Sequence, residues 1–367
     1  MFLLFPFGRP KLQCYHPPRE IIAMTENRGE PHRLAVLDGW RAVSILLVMA
    51  GHLLPIGPAF LKLNAATAAA GMALFFILSG FLITRSLMAS GNVPGFLIRR
   101  AARILPLAWM ALLATLVLIG ASPREYAQHL LFLANLPGFQ IRPEVEHFWS
   151  LCVEVQFYIG VAALVALFGR RGLYALPLAC LVVTAHRIAC GAHLDFVTWR
   201  RVDEILAGCV LALVYGGWFG GQPGRWLAWL NPYLLMPLLI ASGHPETGAL
   251  NYLRPYIAML LIGATLRAAP TLLARVLESR PMAYVAHVSF ALYVIHGILM
   301  SSWLGTGDKL TKYAKRPLLI GATFMLAHFS TFHFENRFIA LGHRLAASKW
   351  RSSRISSSTT SGSRTGV

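Results

Sequence analysis

Ionisable residues set inside long apolar runs mark where this chain could do chemistry. A charged side chain at the centre of a membrane helix costs about 2.5–3.5 kcal/mol on insertion scales, so it needs a partner or a task. The run RLAVLDGWRAVSILLVMAGHLLPIG carries Asp38, Arg41 and His52. Eleven helical steps separate Arg41 from His52, which returns them to one stripe about 16 Å apart along the axis. Asp38 lies one turn before Arg41, close enough to pair with it. One helix thus offers a cation near one end and a titratable imidazole toward the other. A capped helix end plus a buried, hydrogen-bonded histidine would account for the same pattern. In FLIRRAARILPLAW, Arg99, Arg100 and Arg103 occupy neighbouring turns and offer planar donor forks suited to phosphate, or to lipid headgroups. In EHFWSLCVEVQFYIG, Ser150, Glu154 and Tyr158 form one i,i+4 ridge, and Glu154 is a candidate acid/base partner for His52 or a structural interhelix link. Asp203 and Glu204 open a later run. Ser289, Tyr293 and His296 share another, and His333, Glu335 and Arg337 close the last.

The elements that hold these residues follow from composition. Of 367 residues, 56% are apolar and only 13% charged, and the mean hydropathy is +0.57. Charged residues are about half as frequent as in a soluble domain. Soluble enzymes, nucleic-acid-binding domains and disordered scaffolds are excluded on that ground. The expected fold is all-α, a polytopic membrane bundle of about ten helices over 34–56, 65–88, 104–120, 148–169, 173–190, 202–219, 226–242, 249–266, 281–303 and 317–338. The net charge of +18 comes mostly from basic residues between apolar runs, as the positive-inside rule produces. Arg99, Arg100, Arg103, Arg170, Arg171, Arg267, Arg275, Arg280 and Arg344 place both termini in the cytoplasm. Arg200, Arg201 and the cluster Lys309, Lys312, Lys315, Arg316 oppose that bias.

Residues 1–33 read as a cytoplasmic leader, with Met24 the expected natural start. Residues 341–367 read as a disordered tail rich in serine and arginine. In the connection 121–147, YAQHLLFLANL suggests an interfacial helix. The serine-glycine pair of LFFILSGFLIT allows close helix packing and requires no catalytic role. Five cysteines, Cys14, Cys152, Cys180, Cys190 and Cys209, show no metal-ligand or CxxC spacing.

Together these segments resemble the acyltransferase-3 family of polytopic O-acyltransferases. LDGWRAVSILLVMAGH looks like its Arg-x10-His motif, carried by Arg41 and His52. LFFILSGFLIT, IRRAARILPLAW, HFWSLCVEVQFY, RRVDEILAG and FALYVIHG resemble its later signatures in order, and the resemblance runs from about 34 to 340. One departure is Val155, where the family commonly has a second acidic residue, leaving Glu154 as the only carboxylate there. With its short serine-rich tail the chain resembles the stand-alone members without an appended hydrolase-like domain, and the alanine- and arginine-rich composition points to a bacterial source, hence a bacterial inner membrane. The resemblance implies transfer of an acyl group, usually acetyl, from cytoplasmic acyl-CoA to a hydroxyl of a carbohydrate or glycoconjugate, with no metal. On this reading His52, Glu154 and Arg41 are catalytic, with His52 the general base or a transient acyl carrier. Glu154 orients it better than Asp38, which lies about 21 Å away along the helix. Arg99, Arg100 and Arg103 hold CoA phosphates. Asp38, Ser150, Tyr158, Asp203, Tyr293, His296 and Glu335 bind substrate or link helices. The expected partners are acyl-CoA, the glycan acceptor and the bilayer, with no nucleic acid and a homo-oligomer left open. The alternative is a secondary transporter of an anionic solute, whose path would be lined by the same Arg and His residues.

Overall fold

A computed structural model describes residues 35–219, 226–267 and 272–361, with side chains for all of these except 228, 267 and 349–361. The leader, Met24 and Cys14 lie outside the described residues, as does the tail beyond 361. Every regular element among the described residues is helical. In chain order these are α1 (Ala35–Leu53), α2 (Leu63–Ser90), α3 (Val93–Leu118), α4 (Pro123–Leu130), α5 (Trp149–Phe168), α6 (Leu176–Ala189) and α7 (Asp203–Tyr215). They continue with α8 (Pro232–Ser242), α9 (Leu250–Arg267), α10 (Leu272–Leu277), α11 (Arg280–Ser301), α12 (Lys309–Ala314), α13 (Arg316–Phe329) and α14 (Asn336–Ser361).

The bundle is apolar outside and partly charged inside, as a lipid solvent demands. Leu118 is 85% exposed and Leu167 76%, whereas Arg187, Asp203, Glu204 and Arg254 are fully buried at 0%. Each predicted apolar segment contains a helix, and six helical runs are long and apolar enough to cross a bilayer. One of these, Pro143–Ala189, merges α5 and α6 through a 3₁₀ stretch over Gly169–Ala175. By contrast α7 has 13 residues and α8 has 11, about 20 Å or less at 1.5 Å per residue, short of a hydrocarbon core of about 30 Å.

Helix α2 packs against both α1 and α7. Glycine makes both contacts close. A Cβ at Gly71 would press on the backbone of Ser44 in α1. One at Gly80 would overlap the Ile205 carbonyl, and one at Gly208 the Ile77 carbonyl. Such small-residue contacts let helix backbones approach in a medium that offers no hydrophobic drive between them.

Buried ion pairs tie α6, α7 and α9 together. Arg254 Nε donates to Glu204 Oε1 at 2.6 Å, and Arg201 Nη2 lies 3.4 Å from Glu204 Oε2. Arg187 pairs with Asp203, which also accepts from Thr184 Oγ1 at 3.3 Å. Asp203 is therefore a structural tie between α6 and α7.

Helix α14 continues from the last span as far as Ser361 and packs on α3. Gly342 sits against Ile98–Ala102, and Ala346 is buried. In the 121–147 connection the helix stops at Leu130 rather than running through YAQHLLFLANL. It starts at a reciprocal cap, in which Glu125 Oε2 accepts the Ser122 N–H at 2.7 Å and Ser122 Oγ accepts the Glu125 N–H at 3.4 Å. It is followed by Phe132 in a left-handed conformation at φ 56°.

Candidate active site

Two clusters of polar side chains lie at the two ends of α1. At its C-terminal end, His52 Nδ1 stands 3.1 Å from His296 Nε2 of α11, with the rings stacked at 5.3 Å and 11°. His296 Nδ1 faces the backbone carbonyls of Tyr293 at 2.7 Å and Leu292 at 3.1 Å. A carbonyl only accepts, so this nitrogen carries the proton, and the Nε2 of a neutral His296 is an acceptor. His52 Nδ1–H must then be the donor, which leaves His52 Nε2 with a free lone pair. His52 is exposed into a cavity of about 390 Å³ whose lining includes His147, Tyr293, His296 and Arg201.

The wall behind the pair is set by α5 and the 3₁₀ stretch Pro143–Phe148 before it. His147 Nε2 donates to the Val294 carbonyl at 3.0 Å, and its ring lies 5.4 Å from that of His296. Tyr293 donates its hydroxyl to the His147 carbonyl and receives Ser150 Oγ at 2.6 Å. Gly297 makes this packing feasible, since a Cβ there would collide with the His147 ring.

At the other end of α1, Arg41 Nη1 lies 3.6 Å from Asp38 Oδ1. Arg41 is within electrostatic range of Arg100, Arg103 and Glu154. Glu154 Oε1 accepts from both Ser79 Oγ and Tyr158 OH, each at 2.5 Å. The Arg100 guanidinium lies 5.5 Å from the Tyr158 ring centroid. Glu335 approaches Arg103 from a π-helical turn, Ser330–Glu335, and accepts from Ser330 Oγ at 3.1 Å and Thr331 Oγ1 at 3.0 Å. Arg99 lies on the same helix where α3 meets Gly342. Arg41 and Tyr293 both line a void of about 20 Å³ between the clusters, with Ser44 and Ser289 beside them.

The structure does not bring Glu154 to His52: Glu154 is held by Ser79 and Tyr158 within electrostatic range of Arg41, while His52 stands beside His296. The ridge on α5 also divides, because Ser150 turns to Tyr293 while Glu154 and Tyr158 stay together. Ser79, read as packing alone, holds the carboxylate. His147 was not singled out, although it immediately precedes the α5 ridge. Arg187 and Arg254 were also missed, although they are charges within predicted spans.

The comparisons with known proteins bear on this arrangement. Residues 34–332 match the acyltransferase-3 family, described as an acyltransferase domain. The chain belongs to the acyltransferase-3 family. Among relatives of this family member, the candidate peptidoglycan O-acetyltransferase YrhL of Bacillus subtilis is 28% identical over 231 residues, 52% of this chain and 34% of the relative. Nodulation protein 10 of Rhizobium leguminosarum bv. viciae is 25% identical over 276 residues, 65% of this chain and 74% of that protein. Peptidoglycan O-acetyltransferase OatA of Listeria monocytogenes is 21% identical over 344 residues, 80% of this chain and 54% of that one. The chain thus spans about a third of the length of YrhL and about half that of OatA. No solved structure is a significant match.

Proposed function

We propose that the protein is an integral membrane O-acetyltransferase that moves an acetyl group from acetyl-CoA to a hydroxyl of a glycan or glycoconjugate. The observation that carries this reading is the histidine pair: His296 fixes the tautomer of His52, leaving a free Nε2 on a residue that lines a cavity. Family membership weighs for group transfer over transport of an anionic solute, and the names of YrhL and OatA weigh for a saccharide acceptor.

The thioester donor is already activated, so the protein must position two substrates and manage one proton. His52 Nε2 takes the proton of the acceptor hydroxyl as its oxygen attacks the acetyl carbonyl. The tetrahedral adduct collapses, the C–S bond breaks, and the proton passes from Nε2 to the leaving CoA sulfur. His296 accepts the His52 Nδ1–H throughout and steadies the transient imidazolium. Arg41, Arg100 and Arg103, with Arg99 near them, form a cationic group suited to the CoA phosphates. With the N-terminus in the cytoplasm, these arginines face the cytoplasm and His52 lies toward the opposite surface. The bacterial plasma membrane suits such a donor and acceptor.

The test uses purified full-length protein in lipid with radiolabelled acetyl-CoA and a saccharide acceptor. Wild type is expected to release CoA and label the sugar, His52→Ala to insert and fold but lose transfer, and Arg103→Ala to raise the KM for acetyl-CoA. A folded His52→Ala protein that transfers acetyl at the wild-type rate overturns the assignment.

A further inference from the structure

The cavity at His52 continues into a second one. Glu146, Leu194, Asp195 and Phe196 line both the 390 Å³ cavity and a neighbour of about 570 Å³ that is otherwise bounded by the 134–141 segment and Val197. Both volumes fall within the range of about 300–1,000 Å³ typical of small-ligand sites. Their shared wall combines two kinds of surface. Phe196, 42% exposed, stacks on Trp149 at 4.9 Å and 26°, and the Arg201 guanidinium lies 5.2 Å from the Trp149 centroid. Beside this stack stand two carboxylates. Asp195 is held in place, its Oδ1 taking the Val197 N–H at 2.8 Å and its Oδ2 taking Arg200 Nη1 at 3.1 Å. The Glu146 carboxylate is exposed and makes no hydrogen bond or ion pair among the described residues, only its backbone carbonyl accepting from the Trp149 N–H. Arg201, only 2% exposed, lines the inner cavity with its Nε unpartnered.

We propose that this double cavity is an acceptor subsite for a saccharide of at least two rings, one ring stacking on Phe196 with its hydroxyls held by Asp195 and Glu146, and the adjoining ring presenting its hydroxyl to His52. A pyranose has an apolar C–H face and a rim of hydroxyls. The first suits an aromatic platform, and the second suits groups that only accept, as carboxylates do. Asp195 is neutralised by Arg200, so Glu146 is the unpaired charge beside Phe196 on the shared wall, and it disfavours phosphate and uronate groups there; the stacked ring is neutral or amine-bearing. The 134–141 segment and residues 194–197 therefore set which acceptors are used, while the arginines at the far end of α1 serve the donor.

This inference rests on the acyltransferase reading, and the experiment separates the two. Full-length protein in lipid nanodiscs is given acetyl-CoA with neutral, amino-sugar and phosphorylated oligosaccharides of one to four rings, for wild type, Phe196→Ala, Phe196→Trp and Glu146→Gln. In wild type, kcat/KM is expected to rise about tenfold from one ring to two. Phe196→Ala should lose that gain through KM for the acceptor, with the KM for acetyl-CoA unchanged, and Phe196→Trp should keep it. Glu146→Gln should raise KM for neutral acceptors and narrow the discrimination against phosphorylated ones. Transfer that is indifferent to ring number, or unchanged in Phe196→Ala and Glu146→Gln, overturns the subsite while leaving the acyltransferase intact. CoA release without transfer to any saccharide overturns the saccharide acceptor. A wild-type protein that neither binds nor turns over acetyl-CoA overturns the acyltransferase reading and the subsite with it.

Discussion

His296 Nε2 stands 3.1 Å from His52 Nδ1, and its own Nδ1 is committed to the carbonyls of Tyr293 and Leu292. The second ring thus decides which nitrogen of the first is basic. The carboxylate that would do this in a histidine–aspartate pair is replaced by a neutral imidazole, itself held by the backbone of α11. A neutral orienting group suits a low-dielectric setting, where a buried carboxylate would need its own counter-charge.

The pair predicts a split between positioning and binding. His296→Ala should lower kcat by about 10²-fold, the lower end of the range for general acid–base catalysis, because His52 loses its fixed tautomer. The KM for acetyl-CoA should stay near wild type. His296→Gln, whose amide oxygen can accept the His52 Nδ1–H, should recover part of the loss. Steady-state kinetics with both variants checks this, and an unaltered kcat in His296→Ala would contradict it.

Glu154 is held by two hydroxyl donors from different helices, Ser79 and Tyr158. Removing either by Ser79→Ala or Tyr158→Phe should cost about 1–3 kcal/mol, since each donor satisfies a buried carboxylate. The losses should not add, because both donors meet the same oxygen. Thermal unfolding in detergent of the two single variants and the double variant measures the coupling.

The ion pair of Arg254 and Glu204 is fully buried on both sides. Glu204→Gln alone strands two arginines, and Arg254→Met alone leaves Glu204 with only the longer contact to Arg201. Each should destabilise by about 3–5 kcal/mol. The double variant should be less harmed than the sum of the singles, which the detergent-unfolding midpoint reports.

His129 lies on the short helix α4, outside the membrane-spanning runs, and its Nδ1 donates to the Glu125 carbonyl at 2.8 Å while Nε2 accepts the Arg142 N–H at 3.4 Å. Burial pushes this imidazole below its ordinary value of 6.5. The folded state therefore prefers the neutral ring, and above 6.5 both folded and unfolded chains are neutral, so its contribution is intact. As pH falls below 6.5 the unfolded ring gains a proton first, and local stability declines until the folded ring also titrates. Hydrogen exchange should show residues 121–147 losing protection as pH falls below 6.5, with that pH dependence lost in His129→Gln.

Much of the site was legible because membrane helices penalise charge. Arg41, His52, Glu154 and His296 stood out as ionisable residues in apolar runs, and helical spacing placed Arg41 and His52 on one stripe. The same rule marks Arg187 and Arg254, which shows that the signal extends to structural ties as readily as to chemistry. Ser79 and Gly80 carried a packing signal, and Gly80 does meet the backbone of α7. What Ser79 donates to lies 75 residues away, beyond any local pattern.

The sequence alone determined that the chain is helical, that it is apolar enough for a bilayer, that it resembles one acyltransferase family, and which residues sit at a helix end or on a helix stripe. These properties depend on hydropathy and a period of 3.6 residues, which are local. Only the tertiary structure decided that His296 rather than Glu154 orients His52, that Glu154 belongs with the arginines, and that Phe196 and Glu146 join two cavities beside the imidazole. Those outcomes depend on the depth and rotation of helices far apart in the chain. Close glycine contacts and buried hydrogen bonds set them, and helical spacing within one segment carries no information about its neighbours.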